Sequence, residues 1–177
     1  MHKTERRYIQ IYTGNGKGKT TAALGQAVRA AGHGLKTHMV MFMKDHPYGE
    51  LPILAKLGEF ITVERFGNDA FVFRKEPPSN DDLAAARAGL AHARKAMLSG
   101  KYDIVVLDEI CVTTYFKLLT TEEVLPLLKE KPDGVELILT GRYCPESWLV
   151  LADLVTEMKE IKHYYQKGVI AREGFEF

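Results

Sequence analysis

Cysteine is scarce in this chain: Cys111 and Cys144 are the only two in 177 residues. That excludes a disulfide framework and a cysteine-built metal centre, and each thiol is expected to pack as a small buried hydrophobe. A surplus of either charge is lacking too. Twenty-four Lys and Arg stand against 23 Asp and Glu, so there is no broad basic field for gripping a nucleic acid, and any cationic site must be local. No apolar stretch is long enough to span a bilayer. The opening run Met1–Arg7 has no signal-peptide core and leads straight into a strand-like segment. The expectation is a single cytoplasmic domain, 1–177, with no membrane and no nucleic-acid partner. The six histidines show no metal-ligand spacing, and there are no repeats, low-complexity segments or linkers.

What the chain does have is a loop rich in glycine and lysine, Thr13-Gly14-Asn15-Gly16-Lys17-Gly18-Lys19-Thr20-Thr21. The apolar run Tyr8–Tyr12 precedes it, and Leu24, Ala27, Val28 and Ala31 follow at helical spacing. Strand, glycine loop and helix form the context of a phosphate-binding loop. Gly14, Gly16 and Gly18 let backbone N–H groups turn inward on an anion, and the helix start aims its positive dipole at the same point. Lys19 can reach phosphate oxygens, and the Thr20 hydroxyl can ligate Mg²⁺. Thr13 stands where the usual pattern has its first glycine, and Lys17 adds a second cation.

Further strands are expected at Met39–Met43, Ile61–Phe66, Ile104–Glu109, Val135–Leu139 and Leu154–Ile161. Helices are expected near 50–58, from Ser79 to Gly100, near 121–130 and near 145–152. Ser79 and Asp82 suit a capping box, and Leu83, Leu90 and Met97 with Ala86 and Ala93 make the buried stripe of that helix. The segment 67–80 reads as irregular, and the tail 166–177 has no period. The fold class is therefore α/β, a mostly parallel sheet with helices on both faces, of the P-loop (RecA-like) nucleotide-binding kind. Ligands of such sheets bind beyond the carboxyl ends of the strands. Lys44, Asp108, Glu109 and Arg142 directly follow strands and should gather there with the loop.

Asp108 and Glu109 suit a hard cation bridging phosphates. Arg142 is either a phosphate clamp or a surface arginine, and Arg29 by itself reads as a surface ion pair. Phe71 and Phe73 point the same way if their segment is extended. They then present an apolar ligand face, or else they tuck into the core.

Gly14–Ala23 resembles the phosphate loop of the ATP:corrinoid adenosyltransferases. The similarity continues through Arg29–Gly34, Phe42-Met43-Lys44, Val105–Glu109, Leu139–Arg142, Lys162-His163 and Ala171–Phe177, and so covers nearly the whole chain. It implies that Co(I) of a reduced corrinoid attacks the 5′ carbon of ATP, with triphosphate leaving. It implies that Asn15, Lys17, Lys19, Thr21 and Arg29 contact ATP, that Thr20 and Glu109 hold Mg²⁺, and that Phe71 and Phe73 pack beside the corrinoid. In the best-known members the second aromatic is tryptophan, where this chain has Phe73. The partners implied are ATP, cobalamin or a precursor, an electron-donating reductase and a second copy of the chain. Several members carry a longer N-terminal segment that folds over the corrinoid. This chain starts only a few residues before its first strand, so another segment or a partner subunit is expected to supply that cover. An ordinary phosphate-loop ATPase or kinase, and a non-enzymatic ATP or corrinoid sensor, stay open as alternatives.

Overall fold

The computed structural model describes residues 6–177, apart from the side chains of Phe73 and Arg74. Six strands form one sheet: β1 (Ile9–Thr13), β2 (Thr37–Phe42), β3 (Ile61–Phe66), β4 (Ile104–Asp108), β5 (Glu136–Thr140) and β6 (Leu154–Glu157). Their order across the sheet is β3-β2-β4-β5-β1-β6, and every pair is parallel. After β1 the chain crosses to β2 on one side, whereas β6 comes to lie on the other side of β1. The glycine–lysine loop thus opens at a point where the winding reverses, where such sheets leave a crevice.

Parallel pairing requires a crossover on a face of the sheet for each return, so both faces are covered. On β4, Val105 and Leu107 face one layer while Ile104 and Val106 face the other. The first layer contains α4 (Asn80–Leu98), α5 (Ile110–Tyr115), α6 (Thr121–Lys129) and α7 (Glu146–Leu149), around the fully buried Trp148. The second contains α1 (Lys19–Ala31) and α2 (Glu50–Lys56). The buried stripe of α1 is Ala23, Ala27 and Ala30. It is rotated from the one expected, because small side chains let the helix settle close to the sheet, and Val28 is left exposed. The capping box of α4 forms as expected: the Ser79 hydroxyl accepts from the Asp82 N–H, and the Asp82 carboxylate accepts from the Ser79 N–H. Gly89 lets α4 lie against Phe42 and Phe66, since a Cβ there would come within 2.8 Å of the Phe42 ring.

Three segments differ from expectation. Residues 67–80 contain a short helix, α3 (Ala70–Arg74). A helix turns about 100° per residue, so Phe71 and Phe73 cannot share a face there. Phe71 is buried, edge-on to Phe116; the Phe73 side chain lies outside the described set. The last strand is only four residues long. The segment after it passes behind the glycine–lysine loop, where the Gly16 N–H donates to the Met158 carbonyl at 2.6 Å. The tail contains a 3-10 turn, Tyr164–Lys167, then folds back.

At the opposite end of the sheet from the loop, His38 is buried between Thr62 (Nδ1 to Oγ1, 2.7 Å) and His92 (Nε2 to Nε2, 2.9 Å). Tyr102 packs on its ring, and Lys95 and Lys101 line the small cavity beside it. Burial, reinforced by His92, pushes the His38 pKa down to about 4. The unfolded chain then takes up a proton near the ordinary value of 6.5 while the folded one resists until about 4. The stability present above pH 6.5 is therefore lost as pH falls through that window, by up to on the order of 3 kcal/mol. Urea unfolding at pH 7 and pH 4.5 should show a steeper loss for the wild type than for His38→Gln; equal slopes would exclude this role for His38.

Candidate active site

The loop follows β1 and wraps the start of α1. Gly14 (φ 93°) and Gly18 (φ 116°) adopt backbone conformations that disfavour a side chain. A Cβ at Gly14 or Gly16 would also come within 2.6 or 2.7 Å of the Met158 carbonyl. Lys19 is buried and curls over the loop, donating to the Gly14 and Gly16 carbonyls at 2.8 and 2.7 Å. Burial, with a smaller push from Arg142, moves its pKa below the ordinary lysine value, against Glu109 and Asp108, which act the other way. A buried ammonium under that pressure gains from an anion brought to the loop.

Asp108, at the end of β4, is fully buried. Its carboxylate accepts from Lys44 Nζ (2.5 Å), Thr20 Oγ1 (3.0 Å) and Thr140 Oγ1 (2.7 Å). One acid thus ties together the ends of β2, β4 and β5 and the first turn of α1. Burial works against the Lys44 ammonium, but Asp108 and Glu109 outweigh it and hold its pKa above the ordinary value. Thr20 donates its hydroxyl proton to Asp108 and accepts from Lys44 Nζ at 3.2 Å, which leaves one lone pair of the oxygen for an electrophile.

Glu109 has φ 62°. The left-handed turn swings its side chain out of the strand line and into two clefts flanking the start of α1, of about 480 and 420 Å³, that both also contain Thr20 and Thr21. Its N–H is anchored on Thr140 Oγ1 at 2.9 Å. Burial and the neighbouring Asp108 charge raise its pKa, against Lys44, Lys19 and Arg142. Met43 (φ 56°) and Tyr143 (φ 59°) are strained in the same way, one just before Lys44 and the other just after Arg142. Such strain at three neighbouring strand ends marks a site held in place by its surroundings.

Gly16, Lys17, Gly18, Lys19, Glu109 and Arg142 all line the smaller cleft. Thr20 is therefore brought together with Glu109, as expected, but the carboxylate bonded to it is Asp108. Arg29 does not join the group. It is exposed in the last turn of α1, paired with Gln26, about 15 Å along the helix from Lys19. Asn15 is exposed on the loop. A larger cleft of about 580 Å³, between α2 and β3, meets the site only at Lys44.

Residue patterns gave no role to two further features. Tyr115 and Tyr143 stack at 4.1 Å, both half-exposed, where Val112 and Arg142 continue the cleft wall. Gly174, Phe175, Glu176 and Phe177 wall the larger of the two flanking clefts, and Phe175 and Glu176 wall the smaller. Neither feature has a periodic signal; only the fold pairs the two tyrosines and brings the tail to the loop.

The family model described as "ATP:corrinoid adenosyltransferase BtuR/CobO/CobP" matches residues 5–177. The chain belongs to the ATP:corrinoid adenosyltransferase family. Among curated relatives, corrinoid adenosyltransferase from Escherichia coli K12 is 39% identical over 174 residues, covering 98% of this chain and 87% of the relative. The Salmonella typhimurium LT2 relative is 38% identical with the same coverage, and the Pseudomonas aeruginosa relative is 31% identical over 99% and 86%. Among the described residues, no helix is long and apolar enough to cross a membrane.

In this member of the family the buried ion pair gives a direct test. Asp108→Ala leaves the Lys44 ammonium buried without its partner and should cost about 3 kcal/mol in urea unfolding. Adding Lys44→Met to Asp108→Leu should recover most of that loss. An Asp108→Ala variant as stable as wild type would show that the pair does not hold the strand ends together.

Proposed function

We propose that this chain transfers the 5′-deoxyadenosyl group of ATP to the Co(I) of a reduced corrinoid, in adenosylcobalamin synthesis or corrinoid salvage. The observation that carries the reading is the family match along nearly the whole chain. The reading is supported by two lysines, a helix start, the Thr20 hydroxyl and the Glu109 carboxylate meeting at one cleft.

In the reaction, the electron pair of Co(I) forms a bond to the 5′ carbon. The bond from that carbon to its ester oxygen breaks, and the electrons leave on the triphosphate. The protein's task is to hold that growing negative charge. Lys17, Lys19 and the N–H groups of the loop and helix start, other than that of Gly16, which is bonded to the Met158 carbonyl, would receive it, with Arg142 on the same cleft wall. No water needs a base, so the two acids are free for other work. Asp108 fixes Thr20 and Lys44, and Glu109 faces the cleft.

The oxygen donors present suit Mg²⁺. Among the described residues there is no cluster of three metal-binding acids, histidines or cysteines, and Mg²⁺ in nucleotide sites takes few protein ligands, its remaining positions going to phosphate and water. Thr20 and Glu109 would hold it, and it would supply charge neutralisation on the phosphates. Asn15 and Thr21 are assigned to the triphosphate, Thr21 from the wall of both clefts and Asn15 from the exposed loop. Arg29 would reach ATP only by a rearrangement of its side chain toward the loop. Phe71 and Phe73 are assigned to the corrinoid side through the helix they share, Phe71 as support from beneath. A homodimer, a reductase that delivers the electron and a cytoplasmic setting complete the reading.

Lys19→Ala should lower the rate of adenosylation by at least about 100-fold while the protein stays folded. The measurement is the absorbance change of chemically reduced cobalamin in the presence of ATP and Mg²⁺, with the inorganic product read by phosphorus NMR. Intact triphosphate is expected. ADP or orthophosphate as the product, or full activity in the variant, would overturn the assignment.

A further inference from the structure

The C-terminal turn is knotted on one carboxylate. Glu176 accepts from Lys17 Nζ (2.8 Å), from the Tyr164 hydroxyl, from the Arg172 guanidinium (3.2 and 3.3 Å) and from the Arg172 N–H (2.9 Å). Those donors hold its carboxyl well below the usual carboxylate range. The turn is closed around this node: Arg172 lies over the rings of Tyr164 and Phe175 at 4.9 and 4.8 Å, and the Gly174 N–H donates to the Phe177 carbonyl. Lys17 completes the link, donating also to the Phe175 carbonyl at 2.5 Å.

Lys17 is the cation that ordinary phosphate binding does not need. It sits on an exposed loop, on a long stem whose free rotation would scatter its charge over many positions. The tail removes that freedom by gripping the ammonium beside the cleft. Two features argue against the carboxylate being a plug that phosphate must expel. Its other donors, Tyr164 and Arg172, stay with it whether or not Lys17 moves. Lys17, Arg172 and Glu176 together also keep a net positive charge, so the cluster still attracts an anion.

We propose that Glu176 is a positioning residue for Lys17: it fixes the second lysine over the cleft so that its charge is in place when the triphosphate departs. This rests on the adenosyl-transfer reading for its chemistry, in which Glu176 bonds the loop through Lys17. It acts only through Lys17, and a double-mutant cycle isolates such a dependence.

The test uses the full chain with Glu176→Gln, Lys17→Ala and the two combined, plus Glu176→Asp. It measures kcat and KM for ATP with chemically reduced cobalamin, and ATP affinity without corrinoid by calorimetry. Glu176→Gln should lower kcat/KM on the order of tenfold in the wild-type background and change it less than about twofold when Lys17 is already alanine. Glu176→Asp, which keeps the charge, should regain part of the loss. Should Lys17→Ala fail to fold, Lys17→Gln takes its place in the cycle. Losses that multiply in the double variant would make the tail a structural prop and overturn the proposal, as would a Glu176→Gln enzyme that binds ATP more tightly and turns over faster. If the wild type forms no triphosphate, the reaction assignment fails instead, and the calorimetric cycle still reports on the Lys17–Glu176 coupling.

Discussion

One buried carboxylate sets the geometry of this molecule's working edge. Asp108 takes hydrogen bonds from Thr20, Lys44 and Thr140, which belong to α1, the end of β2 and the end of β5. Burying a charge is costly unless it is paired and its remaining lone pairs are satisfied. Here the pairing partners are the residues that must stand in fixed register around the cleft. The desolvation cost is offset only when all three strands end where they do, so the ion pair specifies an arrangement more than it adds stability.

Charge around that anchor is divided by depth. Asp108 and Lys44 neutralise each other in the interior. Lys19 is held over the loop carbonyls, while Lys17 and Arg142 lie exposed at the cleft. The surface therefore offers cations and free N–H groups to a polyanion even though the chain as a whole is nearly neutral. This is the arrangement that the proposed departure of a highly charged group calls for, and it gathers cations at one edge of a chain without a basic field.

Much of this was legible in the residues. The glycine–lysine loop, the apolar runs Met39–Phe42 of β2 and Ile104–Leu107 of β4, and the acid pair at the end of β4 each carry a local signal. Together they gave a parallel sheet, and Lys44, Asp108 and Arg142 do meet at one edge of it. The capping box at Ser79 also formed as its spacing foretold. What escaped depends on contacts far apart in sequence. Phe71 stayed open between a ligand face and the core because the short α3 lacks a helical period, and only its packing on Phe116 decides for the core. Asp108 and Glu109 are adjacent, and nothing local says which one takes the Thr20 hydroxyl. The left-handed turn at Glu109 decides that. The tail's role was invisible because Glu176 and Lys17 are 159 residues apart.

The central claim is that the bond broken in ATP is the one between the 5′ carbon and its oxygen, with the protein built to receive the phosphates. ATP carrying ¹⁸O in that bridging position tests it directly, with mass spectrometry of the products after reaction with reduced cobalamin. The account predicts that all of the label leaves with the triphosphate. Label retained on a nucleotide product, with cleavage between phosphorus and oxygen, would contradict it.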